Sequence, residues 1–116
     1  LFAAHHNLDN FMVIVDENGF QAMGSTQDII ALGSIQSKFE SFGFEAITID
    51  GHDEIAINKA VSDLWRSNKQ KPKALIARTV KGKGVDFMEH DNSWHYTRLN
   101  QKSYQRAILS IDSGNL

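Results

Sequence analysis

Phe11-Met12-Val13-Ile14-Val15-Asp16-Glu17-Asn18-Gly19 is the stretch whose reading decides the fold. An unbroken apolar run from Phe11 to Val15 suits a short strand buried on both faces of a parallel sheet. It runs into a polar turn, Asp16 to Gly19. On the N-terminal side, Leu1 to His6 reads as the tail of a helix and Asn7-Leu8-Asp9-Asn10 as a turn. On the C-terminal side, residues 20–33 read as irregular, with Gly24, Ser25, Thr26 and Gly33. Ser34 is expected to cap a helix through Phe42, with Ile35, Phe39 and Phe42 on one face and Gly43 as its stop.

The same logic carries to the end of the chain. Phe44 to Ile49 reads as a second strand and Asp50-Gly51-His52 as a turn. Asp53 reads as the N-cap of a helix from Glu54 to about Asn68, with Ile57, Val61, Leu64 and Trp65 near helical spacing. Pro72 marks the exit, and Ala74 to Val80 reads as a third strand. A glycine-rich loop, Lys81-Gly82-Lys83-Gly84, leads into a polar stretch to Asn100 and a last helix from Lys102 to Ile111. This alternation predicts an α/β fold, a parallel sheet with helices on both faces. Such sheets bind ligands beyond the carboxyl ends of their strands. Chemistry is therefore expected at Asp16–Gly19 and Lys81–Gly84.

Composition narrows the classes. With 116 residues, 41% of them hydrophobic, the chain makes one domain or less, with enough apolar material for a core. Pro72 is the sole proline, so no Pro-rich linker interrupts it, and no repeat or domain boundary stands out. Twelve Lys and Arg against fourteen Asp and Glu give a net charge of −2, which removes a chain-wide argument for nucleic-acid binding. The absence of cysteine excludes disulfides, thiolate catalysis and thiolate zinc sites. No apolar run approaches the roughly 20 residues of a membrane helix. Leu1-Phe2-Ala3-Ala4 runs straight into His5-His6 without the basic start of a signal peptide. The first residue is Leu, not Met, so upstream sequence is expected.

Each candidate site has a plain alternative. Asp16-Glu17-Asn18-Gly19 offers the hard oxygens that magnesium favours, or is simply a polar turn with a glycine at positive φ. Lys81-Gly82-Lys83-Gly84 could cradle a phosphate on its backbone N–H groups, or is a solvated turn; it matches neither the P-loop nor GxGxxG. The basic residues from Arg66 to Lys83 fit a solvated helix end and turn better than a nucleic-acid patch. Of five histidines, the adjacent His5 and His6 cannot both face one metal, and a zinc site at His90 and His95 lacks further ligands. His95, between Trp94 and Tyr96, could bind an anion or move a proton, or be a packed residue without chemistry.

Taken together and in order, these segments resemble a known family. Phe2-Ala3-Ala4-His5-His6-Asn7-Leu8-Asp9-Asn10 and Val13-Ile14-Val15-Asp16-Glu17-Asn18-Gly19-Phe20-Gln21 resemble the thiamine-diphosphate domain of transketolase. Ile49-Asp50-Gly51-His52-Asp53, Lys81-Gly82-Lys83-Gly84-Val85-Asp86-Phe87-Met88-Glu89 and Ser93-Trp94-His95 are similar to later segments of it. The likeness covers nearly the whole chain and is greatest to separately encoded N-terminal transketolase subunits.

The resemblance implies a thiamin diphosphate-binding fold, incomplete here, with residues 1–116 as the C-terminal portion of a single such domain. It implies thiamine diphosphate and Mg²⁺ as cofactors. Asn18 matches a magnesium ligand, Phe20 the position whose backbone carbonyl binds the same ion, and Gly19 lies between them in the cofactor-binding turn. His95 matches a histidine that contacts the diphosphate and lies near the substrate. The family's opening Gly-Asp-Gly would lie just before Leu1, and Ala22 stands where some members place a larger aliphatic under the thiazolium ring. The implied activity is transfer of a two-carbon ketol unit from a ketose to an aldose, on sugar phosphates or related substrates, in the cytoplasm. The implied partner is a pyrimidine-binding transketolase domain or subunit, in a dimer or heteromer, with no role for nucleic acid or membrane. The alternatives are a deoxyxylulose-phosphate synthase relative, or a non-catalytic remnant that only packs against a partner. The isolated chain is expected to be inactive and to associate through an unpaired sheet edge.

Overall fold

The buried centre of the sheet is the third predicted strand, not the first. The structure, a computed structural model, describes residues 1–114. In chain order its elements are α1 (Phe2–His5), β1 (Met12–Glu17), β2 (Phe20–Gln21), β3 (Gly24–Ser25), α2 (Thr26–Ile29), α3 (Ile35–Ser41), β4 (Glu45–Asp50), α4 (Glu54–Arg66), β5 (Lys73–Arg78), a 3-10 turn (Asn92–His95) and α5 (Gln101–Asp112). They fall into two compact units, Leu1–Glu17 with Leu32–Thr79, and Asn18–Ala31 with the described residues from Val80 on.

The first unit holds a three-stranded parallel sheet in the order β1-β5-β4. Ala74, Leu75 and Ile76 of β5 are at most 1% exposed. The period of two splits the strand between two faces. Ala74 and Ile76 pack with Phe44, against Ala3 of α1 and Ile35 and Phe39 of α3. Leu75 packs on the opposite face with Ala60 and Leu64 of α4. Helices therefore cover both faces, as the alternation of elements predicts. By contrast β1 has a described partner on one side only, and its Ile14 is 66% exposed. An apolar run does not say what covers each face of its strand, and among the described residues the Ile14 face of β1 is left open, contrary to the expectation of burial on both faces. The strand also runs on through Asp16 and Glu17, which the sequence reading placed in the turn. Glu17 accepts from Arg78 Nε at 3.1 Å and Asp16 accepts from the Thr79 hydroxyl, so both carboxylates serve the sheet.

Both predicted N-caps form. Ser34 Oγ accepts from Ser37 N, and Asp53 Oδ1 accepts from Ile55 N and Ala56 N at 2.9 and 3.0 Å. Asp53→Ala should cost about 1 kcal/mol, measurable as a lower urea midpoint. Phe42 is not part of the α3 apolar face; it is the C-cap and is half exposed. Lys73 is a buried cation at the start of β5. Its Nζ donates to Asp9 O at 2.6 Å and Lys71 O at 3.0 Å and lies 5.8 Å from the centre of the Trp65 ring, which meets the need of a buried charge for partners.

Glu45 ties the start of β4 to the end of α4, accepting from Ser67 Oγ at 2.7 Å and Lys69 Nζ at 3.0 Å. Burial alone pushes its carboxyl up, but the Ser67 and Lys69 hydrogen bonds and the charges of Lys69 and Lys73 outweigh that and hold it below the ordinary glutamate value. A depressed carboxylate stabilises the fold above its unfolded value, and that stabilisation is lost as pH falls through the folded one. Wild type should therefore lose stability from about pH 4.3 downward, and Glu45→Gln should lose less over that range in acid titrations followed by circular dichroism.

In the second unit, the segment read as irregular contains a hairpin, with Phe20 opposite Ser25 and Gln21 opposite Gly24, followed by the short helix α2. Strands of two residues carry too little periodicity to be seen in sequence. Its other large element, α5, starts at Gln101 with a capping box between Asn100 and Ser103. Among the described residues, no helix is long and apolar enough to cross a membrane.

Candidate functional site

Asn18 follows β1 directly and folds back on the chain, its Oδ1 accepting from Phe20 N at 2.9 Å. This Asx turn fixes the carboxamide before any ligand arrives. Gly19 sits at φ +79°, a conformation side-chain-bearing residues rarely adopt. Its carbonyl accepts from Thr26 N at 2.9 Å and Thr26 Oγ1 at 3.2 Å, which closes the base of the β2–β3 hairpin. Asn18, Gly19 and Phe20 thus form one braced turn.

His95 is exposed at the end of the 3-10 turn, its ring edge-on to Tyr96 with centroids 4.7 Å apart. Asp91 caps that turn, accepting from Ser93 N at 2.9 Å; this bond holds the Asp91 carboxyl below the usual range. Trp94 anchors the turn from behind: its Nε1 donates to Phe87 O at 2.9 Å and its ring meets Phe87 edge-on at 5.2 Å. Phe87 in turn carries the Arg106 guanidinium 4.5 Å from its ring centre. Asp86 accepts from Arg106 Nη2 at 2.8 Å and Ser110 Oγ at 3.0 Å, and the Arg106 hydrogen bond leads in lowering its carboxyl. These contacts dock α5 on the loop that presents His95. A cavity of about 270 Å³ opens there, with Phe87 and Trp94 as its aromatic wall. Residue 86 is far in sequence from 106 and 110, which lie one turn apart on α5, and no local pattern announces their meeting. The hairpin and the 3-10 turn, carriers of the two predicted site segments, are joined by Asn92 Nδ2, which donates to Ala22 O at 3.4 Å.

The glycine-rich loop is a closed turn rather than a phosphate cradle. Lys83 N donates to Val80 O and Val85 N to Gly82 O, both at 3.1 Å, and Gly84 N donates to Glu89 Oε1 at 3.0 Å. Lys83 Nζ lies 3.8 Å from the same Glu89 oxygen. The Gly84 N–H and the Lys83 ammonium are thus engaged by the loop's own carboxylate. Gly82 is at φ +76°, and a Cβ there would come within 2.4 Å of Met88 O. Gly82→Ala should cost about 2 kcal/mol or more and unseat the segment leading to His95, read as a lower thermal midpoint.

Among the described residues, no group of three or more His, Cys, Asp or Glu side chains is arranged to hold a metal ion. Asn18 Oδ1 and the Phe20 carbonyl are donors of another kind, an amide and a backbone oxygen two residues apart. Both are hard oxygens of the class magnesium takes. In chemical type this donor pair fits Mg²⁺.

Known proteins sharpen this picture. The family described as transketolase, thiamine diphosphate binding domain, matches residues 1–110. The chain belongs to the transketolase thiamine diphosphate binding domain family. It is 31% identical over 91% of its length to one of the subunits of the apulose-4-phosphate transketolase of Phocaeicola vulgatus, and covers 37% of that protein. It is 31% identical over 97% of its length to the 6-deoxy-6-sulfo-D-fructose transketolase subunit SqwG of a Clostridium species, covering 40% of it. Among solved structures, the transketolase of Campylobacter jejuni superposes with a TM-score of 0.85 at 32% identity, covering 96% of this chain and 17% of that one. The chain thus spans well under half the length of the curated relatives it matches. The parallel sheet with helices on both faces is that of a transketolase domain in part.

Proposed function

We propose that this chain is part of a transketolase that moves a two-carbon ketol unit from a ketose to an aldose with Mg²⁺ and thiamine diphosphate. Residues 1–116 are the C-terminal portion of its diphosphate-binding domain. The observation that carries the reading is the braced Asn18-Gly19-Phe20 turn within a family match that runs over residues 1–110. The relatives named above are transketolase proteins, which favours ketol transfer over the deoxyxylulose-phosphate synthase alternative. Two of them are named as subunits, which supports a separate pyrimidine-binding partner and a dimeric or heteromeric enzyme. The substrates are sugar phosphates or related ketoses and aldoses, and the enzyme works in the cytoplasm.

When bound, thiamine diphosphate supplies the electron sink for breaking a carbon–carbon bond next to a carbonyl. This chain's share is position and charge. Asn18 Oδ1 and the Phe20 carbonyl would hold Mg²⁺, Gly19 gives the turn its reversal, and Thr26 keeps the hairpin closed. His95, exposed and braced through Trp94, would donate a hydrogen bond to the diphosphate or the substrate. His95→Ala in the complete assembly should lower ketol transfer about 100-fold without changing the thermal midpoint, because the ring is exposed. Undiminished transfer would remove His95 from the mechanism.

A further inference from the structure

Among the described residues, two buried amide atoms of the second unit have no hydrogen-bond partner: Gln21 Nε2 and Asn92 Oδ1. Leaving such groups unpaired destabilises a fold, so stability alone gives no reason for them. They are chemically complementary, one a donor and the other an acceptor. They also lie on segments that already touch, because the other arm of the Asn92 carboxamide donates to Ala22 O, one residue beyond Gln21. That bond, at 3.4 Å, is long for an N–H···O contact, which leaves room for the segments to approach.

We propose that Asn92 is a positioning residue whose carboxamide clamps residues 21 and 22. Its Nδ2 holds Ala22 O and its Oδ1 accepts a hydrogen bond from Gln21 Nε2 as the clamp closes. The clamp joins the hairpin that begins at Phe20 to the 3-10 turn that ends at His95. It sets the Phe20 carbonyl and the His95 ring in one register, and this service to the metal turn rests on the function proposed above. Neither residue is one of the proposed metal-holding positions or the histidine.

The test is a double-mutant cycle, Gln21→Ala and Asn92→Ala, in the full-length protein with its partner. One readout is hydrogen exchange of the amides of residues 19–26 without ligands. The second is the Mg²⁺ concentration for half-maximal thiamine diphosphate binding, by calorimetry. Each single variant should speed exchange about tenfold and raise the half-saturating Mg²⁺ about tenfold, and the double variant should be no worse than the more affected single. Gln21→Met keeps the side-chain length, removes the donor without adding charge and should reproduce Gln21→Ala, which guards against misfolding. Additive effects in the cycle would mean that the two side chains do not meet, and would overturn the clamp. Faster exchange with unchanged Mg²⁺ dependence would overturn its positioning role. If the wild type itself shows no Mg²⁺-dependent binding, the proposed function fails, and the exchange cycle alone still decides whether the contact exists.

Discussion

Replacing Asn18 by alanine in the full-length protein is expected to weaken magnesium-dependent retention of thiamine diphosphate by at least about 100-fold. Loss of groups that merely orient metal ligands costs about 10–100-fold in affinity, and Asn18 is proposed to be a ligand itself. Alanine also removes the acceptor for Phe20 N, so the neighbouring carbonyl loses its brace at the same time. Asn18→Asp separates the two effects from simple misfolding. A carboxylate oxygen still accepts from Phe20 N and still binds a hard cation, so most of the affinity should remain. Equilibrium dialysis with and without Mg²⁺ reads both variants. Equal binding by wild type and Asn18→Ala would remove this turn from the metal site.

The second large effect is on stability. Leu75→Ala is expected to cost about 3–5 kcal/mol, a large share of the 5–15 kcal/mol typical of a folded protein. Leu75 is 1% exposed on the central strand and is held between Ala60 and Leu64 of α4 and partly buried side chains of β1 and β4. Its neighbours are anchored on three different elements, so they cannot all collapse into the space left behind. Ile55, on the same α4 but 81% exposed, is the control; Ile55→Ala should stay within about 0.5 kcal/mol. Urea denaturation of the two variants gives the comparison directly. Equal midpoints would mean that α4 does not pack on β5 as described.

Local signals in the sequence proved readable in proportion to how local their causes are. Ser34 and Asp53 act on N–H groups two or three residues away, and both caps were legible. The order of helices and strands was legible too, because a buried helix face and a buried strand impose different periods. Strand position was not: Phe11 to Val15 reads as more apolar than Lys73 to Arg78, yet β5 is the centre. Lys73 hides the start of that strand in the sequence, and its burial depends on the Asp9 carbonyl, which only the fold brings near, as well as on that of Lys71. The candidate site divides in the same way. The Asn18 turn is a three-residue affair and was visible, whereas Asn92 reaches across seventy residues to Ala22. Lys81-Gly82-Lys83-Gly84 shows the opposite failure, since its anion-binding look is used by Glu89 five residues beyond Gly84.

The most direct test of the central claim is a calorimetric titration of thiamine diphosphate into the full-length protein assembled with its partner, with and without Mg²⁺. The account predicts saturable binding with Mg²⁺ that is lost when the ion is chelated. Binding that ignores Mg²⁺, or no binding in either condition, would contradict it.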